Sequence, residues 1–229
     1  MKFISVNLKL STIVLCFALP SIMLIATPTQ AQSNTISSTA VKKLPTIREA
    51  RVFFDNGDFT QAYTPLKRLA RNGSVEADYL LYVMYAEGKG VKADMVTALK
   101  YLRVAATQNY RRTPGKFGYA DAQYALGIRY ATGDGVKKNA KNALNNFIRA
   151  ARQGHTNALN EIPAYYAGEK GLAADAADGY EWALIGVKQL SGAEQQSALN
   201  YSSQFKAKLN ERKLRQIAIK VNDWQVRRD

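Results

Sequence analysis

The chain has 229 residues, 47% hydrophobic and 22% charged, with 32 Lys and Arg against 18 Asp and Glu for a formal charge of +14. That apolar content excludes a chain disordered throughout. One cysteine and one histidine exclude a disulfide framework and a Cys/His metal centre.

The first element in chain order is a targeting segment. Lys2 and Lys9 precede an uncharged apolar run over residues 10–26, and the small-residue site Thr29-Gln30-Ala31 leads into polar Gln32. The pattern predicts a secretory signal peptide, residues 1–31, cleaved after Ala31. An uncleaved anchor is the alternative, because the run is close to the shortest that spans a bilayer; Pro20 within it favours removal. Cys16 sits behind Leu15, where a lipidated cysteine needs a small residue, so it is read as part of the apolar run. Export to the periplasm follows, with secretion or signal anchoring as alternatives. The remaining 198 residues carry +12 and no cysteine, so packing alone must hold them. Outside the cytoplasm such a charge favours phospholipid or lipopolysaccharide headgroups, anionic wall polymers such as peptidoglycan, or acidic proteins, and not nucleic acid. Excess lysine that only solvates the surface is the plainer reading. Residues 32–46, Ser/Thr-rich and without a helical period, predict a disordered leader.

From Ile47 onward Ala, Leu and Tyr recur at three- and four-residue spacings, which predicts an all-α protein. Residues 73–106 superimpose on 118–151 at an offset of 45, bringing Ala77 onto Ala122, Leu81 onto Leu126, Tyr85 onto Tyr130 and Gly88/Gly90 onto Gly133/Gly135. A third copy follows at an offset of 36 with Ala158, Ile162, Tyr166, Gly171 and Trp182, and a shortened copy precedes with Asp58, Ala62 and Leu66. The period is thus about 36, and the insertion YRRTPGKF, residues 110–117, accounts for the longer first offset. Within each unit, Leu81/Leu126 and Tyr85/Tyr130 form the buried stripe of a first helix. Gly88 and Gly133 end that helix in the left-handed region, Gly90 and Gly135 allow a second bend, Val91 and Val136 fold back as apolar plugs, and Asp94 and Asn139 cap the second helix.

The segment ALGIRYATGDGVKKNAKNALNNFIRAARQG, residues 125–154, resembles the Sel-one-like repeat (SLR) family, relatives of the tetratricopeptide repeats. The first copy departs from the pattern with Tyr82 in place of Gly, and the third with Pro163 at that position. The resemblance implies a right-handed α-α superhelix, a solenoid of SLR/TPR-like hairpins: a partial repeat at 47–72, then repeats at 73–109, 118–154 and 155–190. It also implies complex assembly and, in bacteria, envelope signalling or host contact. Cysteine-rich relatives are linked to β-lactam hydrolysis but carry a disulfide in each repeat, which this chain lacks.

Residues 191–229 predict a C-terminal pair of capping helices. Ser191-Gly-Ala-Glu194 reads as a capping box, and Leu214, Ile217, Ala218, Val221 and Trp224 share one face of the last helix, with Trp224 packing into the junction rather than binding a ligand.

Gly133-Asp-Gly135 follows no strand and has no third glycine in register, so it is a hairpin turn and not a nucleotide loop. His155 lacks companions for metal or triad chemistry and reads as an interrepeat turn residue, as the resemblance also implies. Asp175, Asp178 and Glu181 read as favourable charges at a helix start rather than an acid–base pair. No catalytic residue, cofactor or metal is expected. The function read from these residues is a non-enzymatic scaffold or adaptor of the bacterial envelope, binding a protein or peptide on its concave surface. Candidate contacts are Tyr79, Tyr82, Gln123, Arg129 and Tyr165, with Arg111, Arg112 and Lys116 in the insertion. Binding of an anionic envelope polymer through basic faces is the alternative, with peripheral membrane contact, and a β-lactamase-like hydrolase comes third.

Overall fold

Small apolar residues at fixed spacing dictate how these helices meet. Ala77, Ala98, Ala105, Ala122, Ala143, Ala150 and Ala158 are all fully buried, and an alanine at a helix crossing lets the two backbones approach closely. A computed structural model describes residues 45–107 and 117–226, all within one compact unit, residues 43–229. The signal segment, most of the leader, and Arg111, Arg112 and Lys116 lie outside the described residues. Among the described residues there are ten α-helices and no strand.

Four hairpins run in order: α1 (Ile47–Asp55) with α2 (Phe59–Arg71), α3 (Val75–Glu87) with α4 (Met95–Ala106), α5 (Ala120–Thr132) with α6 (Ala140–Arg152), and α7 (Thr156–Tyr166) with α8 (Ala176–Gln189). Each hairpin packs on the next through α2–α3, α4–α5 and α6–α7, which is the stacking of an α-α superhelix. The three later hairpins close alike. Gly88 and Gly133 sit at φ +70° and +87° as left-handed C-caps. The N-cap amide of the following helix then donates back to the tyrosine carbonyl of the preceding one: Asp94 to Tyr85 at 2.9 Å, Asn139 to Tyr130 at 2.8 Å, Asp175 to Tyr166 at 2.9 Å. The N-cap side chains of Asp94, Asn139 and Asp175 accept amides of the first helical turn. Asn139→Ala is therefore expected to lower unfolding stability by about 1 kcal/mol, read as a fall in the urea midpoint. An unchanged midpoint would show that the backbone closure alone sets the hairpin.

The second loop glycine also permits a close approach between hairpins. A Cβ on Gly90 would lie 2.5 Å from the Cβ of Phe59, and one on Gly135 would lie 2.9 Å from Leu99 Cδ1. Val91 and Val136 accordingly pack onto the cluster formed with the preceding hairpin. The core is divided into three clusters: Ala50 to Met84 in α1–α3, Tyr82 to Leu126 in α3–α5, and a larger one from Ala143 to Val221 in α6–α10.

Helices α9 (Gly192–Lys206) and α10 (Glu211–Asn222) both pack on α8, and α9 also touches α7. Gly179 of α8 admits the Phe205 ring, which a Cβ there would meet at 2.5 Å. Lys188 donates to Val221 O at 3.3 Å and Asn222 Oδ1 at 2.9 Å, holding the C-terminus of α10. Trp224 packs against the large cluster. The capping box expected at Ser191 does not form. Ser191 is the N-cap, but its hydroxyl caps no amide. Gly192 enters the helix at φ +59°, and that left-handed step breaks the geometry in which an N-cap hydroxyl reaches the third helical amide.

Candidate functional site

The insertion leaves the array after α4 and returns just before α5, and its base is tied by buried polar groups. Gln123, fully buried on α5, donates through Nε2 to Phe117 O at 2.6 Å and Ala106 O at 3.2 Å. Its Oε1 accepts from Gln153 Nε2 at 2.8 Å. Arg149 of α6 donates to the same Ala106 carbonyl at 2.7 Å, and burial lowers its pKa. Tyr119 N reaches Ala105 O at 2.8 Å. Gly118, at φ +79°, passes so close that a Cβ would meet Ala106 O at 2.7 Å.

The first-helix face departs from the sequence reading at several positions. Tyr165 is 2% exposed and packs against Phe147 with ring centroids 5.7 Å apart. Gln123 is the clamp just described. Tyr82, 9% exposed, lies under the Arg129 guanidinium, which donates to its hydroxyl at 3.2 Å and pairs with Asp134. These four side chains hold hairpin to hairpin. First-helix position suggested a place on the concave surface for Tyr82 and Tyr165, whereas each of the four faces a helix of its own or the neighbouring repeat. Tyr79 keeps a half-exposed position, with Tyr119 at 5.2 Å and Tyr82 at 5.8 Å between centroids. Its phenol is pushed up to about 12 by burial, with Asp121 adding to the shift. Arg51 bridges this group, donating to Glu76 and, at 3.4 Å, to Tyr119 Oη.

His155 is the N-cap of α7. Its Nδ1 accepts from Ala158 N at 3.2 Å, its ring stacks on Tyr124 at 4.5 Å, and Nε2 faces Asp121 Oδ1 at 3.6 Å. Accepting at Nδ1 requires the neutral ring, and burial lowers its pKa against the opposing pull of Asp121. A depressed histidine pKa contributes stability that is complete above the unfolded value of about 6.5 and is lost as pH falls through the folded value. Urea midpoints measured at pH 7.5 and 5.5 are expected to fall more for the wild-type chain than for His155→Asn, which retains a cap without the titration. Equal falls would remove His155 from the acid response. Among the described residues no group of three or more His, Cys, Asp or Glu side chains is placed to hold a metal ion.

The second helices form a different surface. α2, α4 and α6 contain eight Lys and Arg and no Asp or Glu. Between α2 and the α3–α4 hairpin lie two hollows. One, of about 680 Å³, is lined by Tyr63, Tyr85 and residues 90–94; the other, of about 230 Å³, by Lys67, Ala70, Arg71, Asp78, Lys100, Tyr101 and Val104. Tyr63 and Tyr85 share a hydroxyl hydrogen bond of 2.7 Å, and Tyr85 stacks on Tyr101 at 5.7 Å. The sequence reading missed Tyr63 as a site residue. Tyr63 stands where the later units carry Leu99, Leu144 and Tyr180, so its repeat position does not single it out.

Stacked helical hairpins with recurrent glycine turns define a helical-repeat protein. The Sel1 repeat family model matches residues 75–110 and 120–155, which hold α3–α4 and α5–α6. The chain therefore carries two Sel1 repeats, one in each of these hairpins. The third hairpin, α7–α8, lies beyond the matched residues but repeats the Asp175–Tyr166 closure. Among solved structures the chain is similar to a Sel1 repeat protein from Oxalobacter formigenes, with 26% identity over 68% of this chain and 96% of that one and a TM-score of 0.46. It is also similar to c5321, a protective antigen of uropathogenic Escherichia coli strains displaying an SLR fold, with 19% identity over 77% of this chain and 46% of that one and a TM-score of 0.41. No curated protein matches the chain. Repeats of this family generally mediate protein–protein interaction, and the family is generally non-enzymatic.

Proposed function

We propose that this chain is a non-catalytic scaffold of the bacterial cell envelope, exported by its N-terminal segment, that binds a protein or peptide. The observation that carries this reading is the position of its chemically capable side chains. Gln123, Arg129 and Arg149 fasten one helix to another through hydrogen bonds, and His155 does so through Tyr124 and Asp121, which leaves broad helical faces as the working surfaces. Tyr79, Tyr119 and Arg51 border the base of the insertion, so the contact surface takes in that rim together with Arg111, Arg112 and Lys116. In-cell crosslinking followed by capture tests this. A defined protein partner is expected, and its recovery falls when Arg111, Arg112 and Lys116 are replaced together. Recovery of no protein sinks the scaffold reading; an unchanged partner set removes the insertion from the contact surface.

A second reading rests on the acid-free second helices, whose charge suits an anionic envelope polymer. Binding to isolated wall material that disappears by moderate salt supports it.

A further inference from the structure

The hollow on Tyr63 and Tyr85 and the hollow on Lys67 and Tyr101 adjoin through the Tyr85–Tyr101 stack and make one candidate groove beside α2. We infer that this groove binds an acidic, extended peptide segment of a partner protein. The inference rests on the scaffold reading and adds the chemistry of the partner. Lys67, Arg71 and Lys100 line one hollow; Lys92 lines the other beside Asp94, whose carboxylate accepts from Val96 N, Thr97 N and Thr97 Oγ1, and none of the four cations has an ion-pair partner among the described residues. Asp78, which also lines the first hollow, is 2% exposed and has an interaction of its own, so the three cations outnumber the one carboxylate there. The Tyr63 phenol is held down chiefly by its hydrogen bond with Tyr85, against the opposing effect of burial, with Lys67 and Arg71 acting in the same direction as the bond.

Between the cations lie apolar walls, Ala70 and Val104 in one hollow and Val91 in the other. An extended strand alternates its side chains between two directions, so carboxylates meet the lysines while apolar side chains meet these walls. An acidic sugar polymer fits less well. Tyr85 lies against Tyr101, and Tyr63 stands edge-on to Tyr85 with Lys67 5.5 Å over its ring. The rings close on one another and on a lysine instead of forming an open stacking platform.

A labelled glutamate–tyrosine copolymer, titrated with the full chain near physiological ionic strength and followed by fluorescence anisotropy, tests the groove. Binding is expected, weakened roughly tenfold by Lys67→Glu with Lys100→Glu and severalfold by Lys92→Glu, which touches neither helix. Lys206→Glu with Arg215→Glu, on α9 and α10, is expected to stay within about twofold of wild type. Equal weakening by the two double variants, or polygalacturonate binding as tightly as the copolymer, overturns the proposal. The crosslinking experiment separates the two readings. A partner captured equally by wild type and by the Lys67→Glu, Lys100→Glu chain leaves the scaffold standing and removes the groove. A wild-type chain that captures no protein removes both.

Discussion

Gly90→Ala is expected to lower the free energy of unfolding by about 3 kcal/mol, one of the two largest single-residue effects in the array. Two costs add. At φ +68° an L side chain is strained by roughly 1 kcal/mol or more. The new Cβ would also stand 2.5 Å from Phe59 Cβ and 2.9 Å from the Phe59 carbonyl carbon. Backbone at the start of α2 cannot rotate away as a flexible side chain does, so overpacking adds roughly 1–3 kcal/mol. Gly57→Ala supplies the control. Gly57 has φ +83° with nothing within 4 Å of its built Cβ, so it carries the backbone strain alone, about 1 kcal/mol. Urea unfolding with an unchanged slope measures both. Equal midpoints for the two variants would mean that the loop does not press on α2. Since Gly90 also lines the groove, its replacement is expected to weaken copolymer binding.

Gln123→Leu is expected to cost about 2–3 kcal/mol. Leucine is of similar size and sits readily in a buried helix position, so the loss comes from the groups left behind. Ala106 O keeps Arg149, while Phe117 O loses the Gln123 bond and Gln153 Nε2 loses its acceptor. Three hydrogen bonds of Gln123 are lost, at about 1 kcal/mol each. The local readout is hydrogen exchange at the Tyr119 amide, which donates to Ala105 O. It is expected to accelerate in Gln123→Leu more than global destabilisation explains. If Tyr119 exchange tracks the global value alone, the clamp is a packing residue and nothing more.

Much of the fold is legible in the sequence because repetition makes each turn visible more than once. Gly88 and Gly133 are left-handed, Val91 and Val136 fold back, and Asp94 and Asn139 cap their helices. Those features depend on residues a few positions apart. The site was less legible for a matching reason. Whether Tyr82, Gln123, Arg129 or Tyr165 faces solvent depends on chain 17 to 47 residues away, as in the bonds of Gln123 to Ala106 and Arg129 to Tyr82. Ser191 shows a smaller failure of the same kind, where a motif of correct spacing is undone by the conformation of the glycine inside it. Tyr63 was overlooked because a tyrosine at a packing position looks like packing, as the buried Tyr180 at the same place in the last unit is.

The clamp at the base of the insertion also bears on how such a chain diversifies. Ala106 and Phe117 are fastened by groups on α5 and α6, so those anchors belong to the repeats and do not travel with the insertion. Lengthening a closed loop is cheap, about 0.6 kcal/mol for each doubling. The junction between α4 and α5 is therefore a cassette position. A lineage or a protein engineer is free to exchange what is displayed there, in length as well as in sequence, while the stacking of the hairpins on either side stays in register.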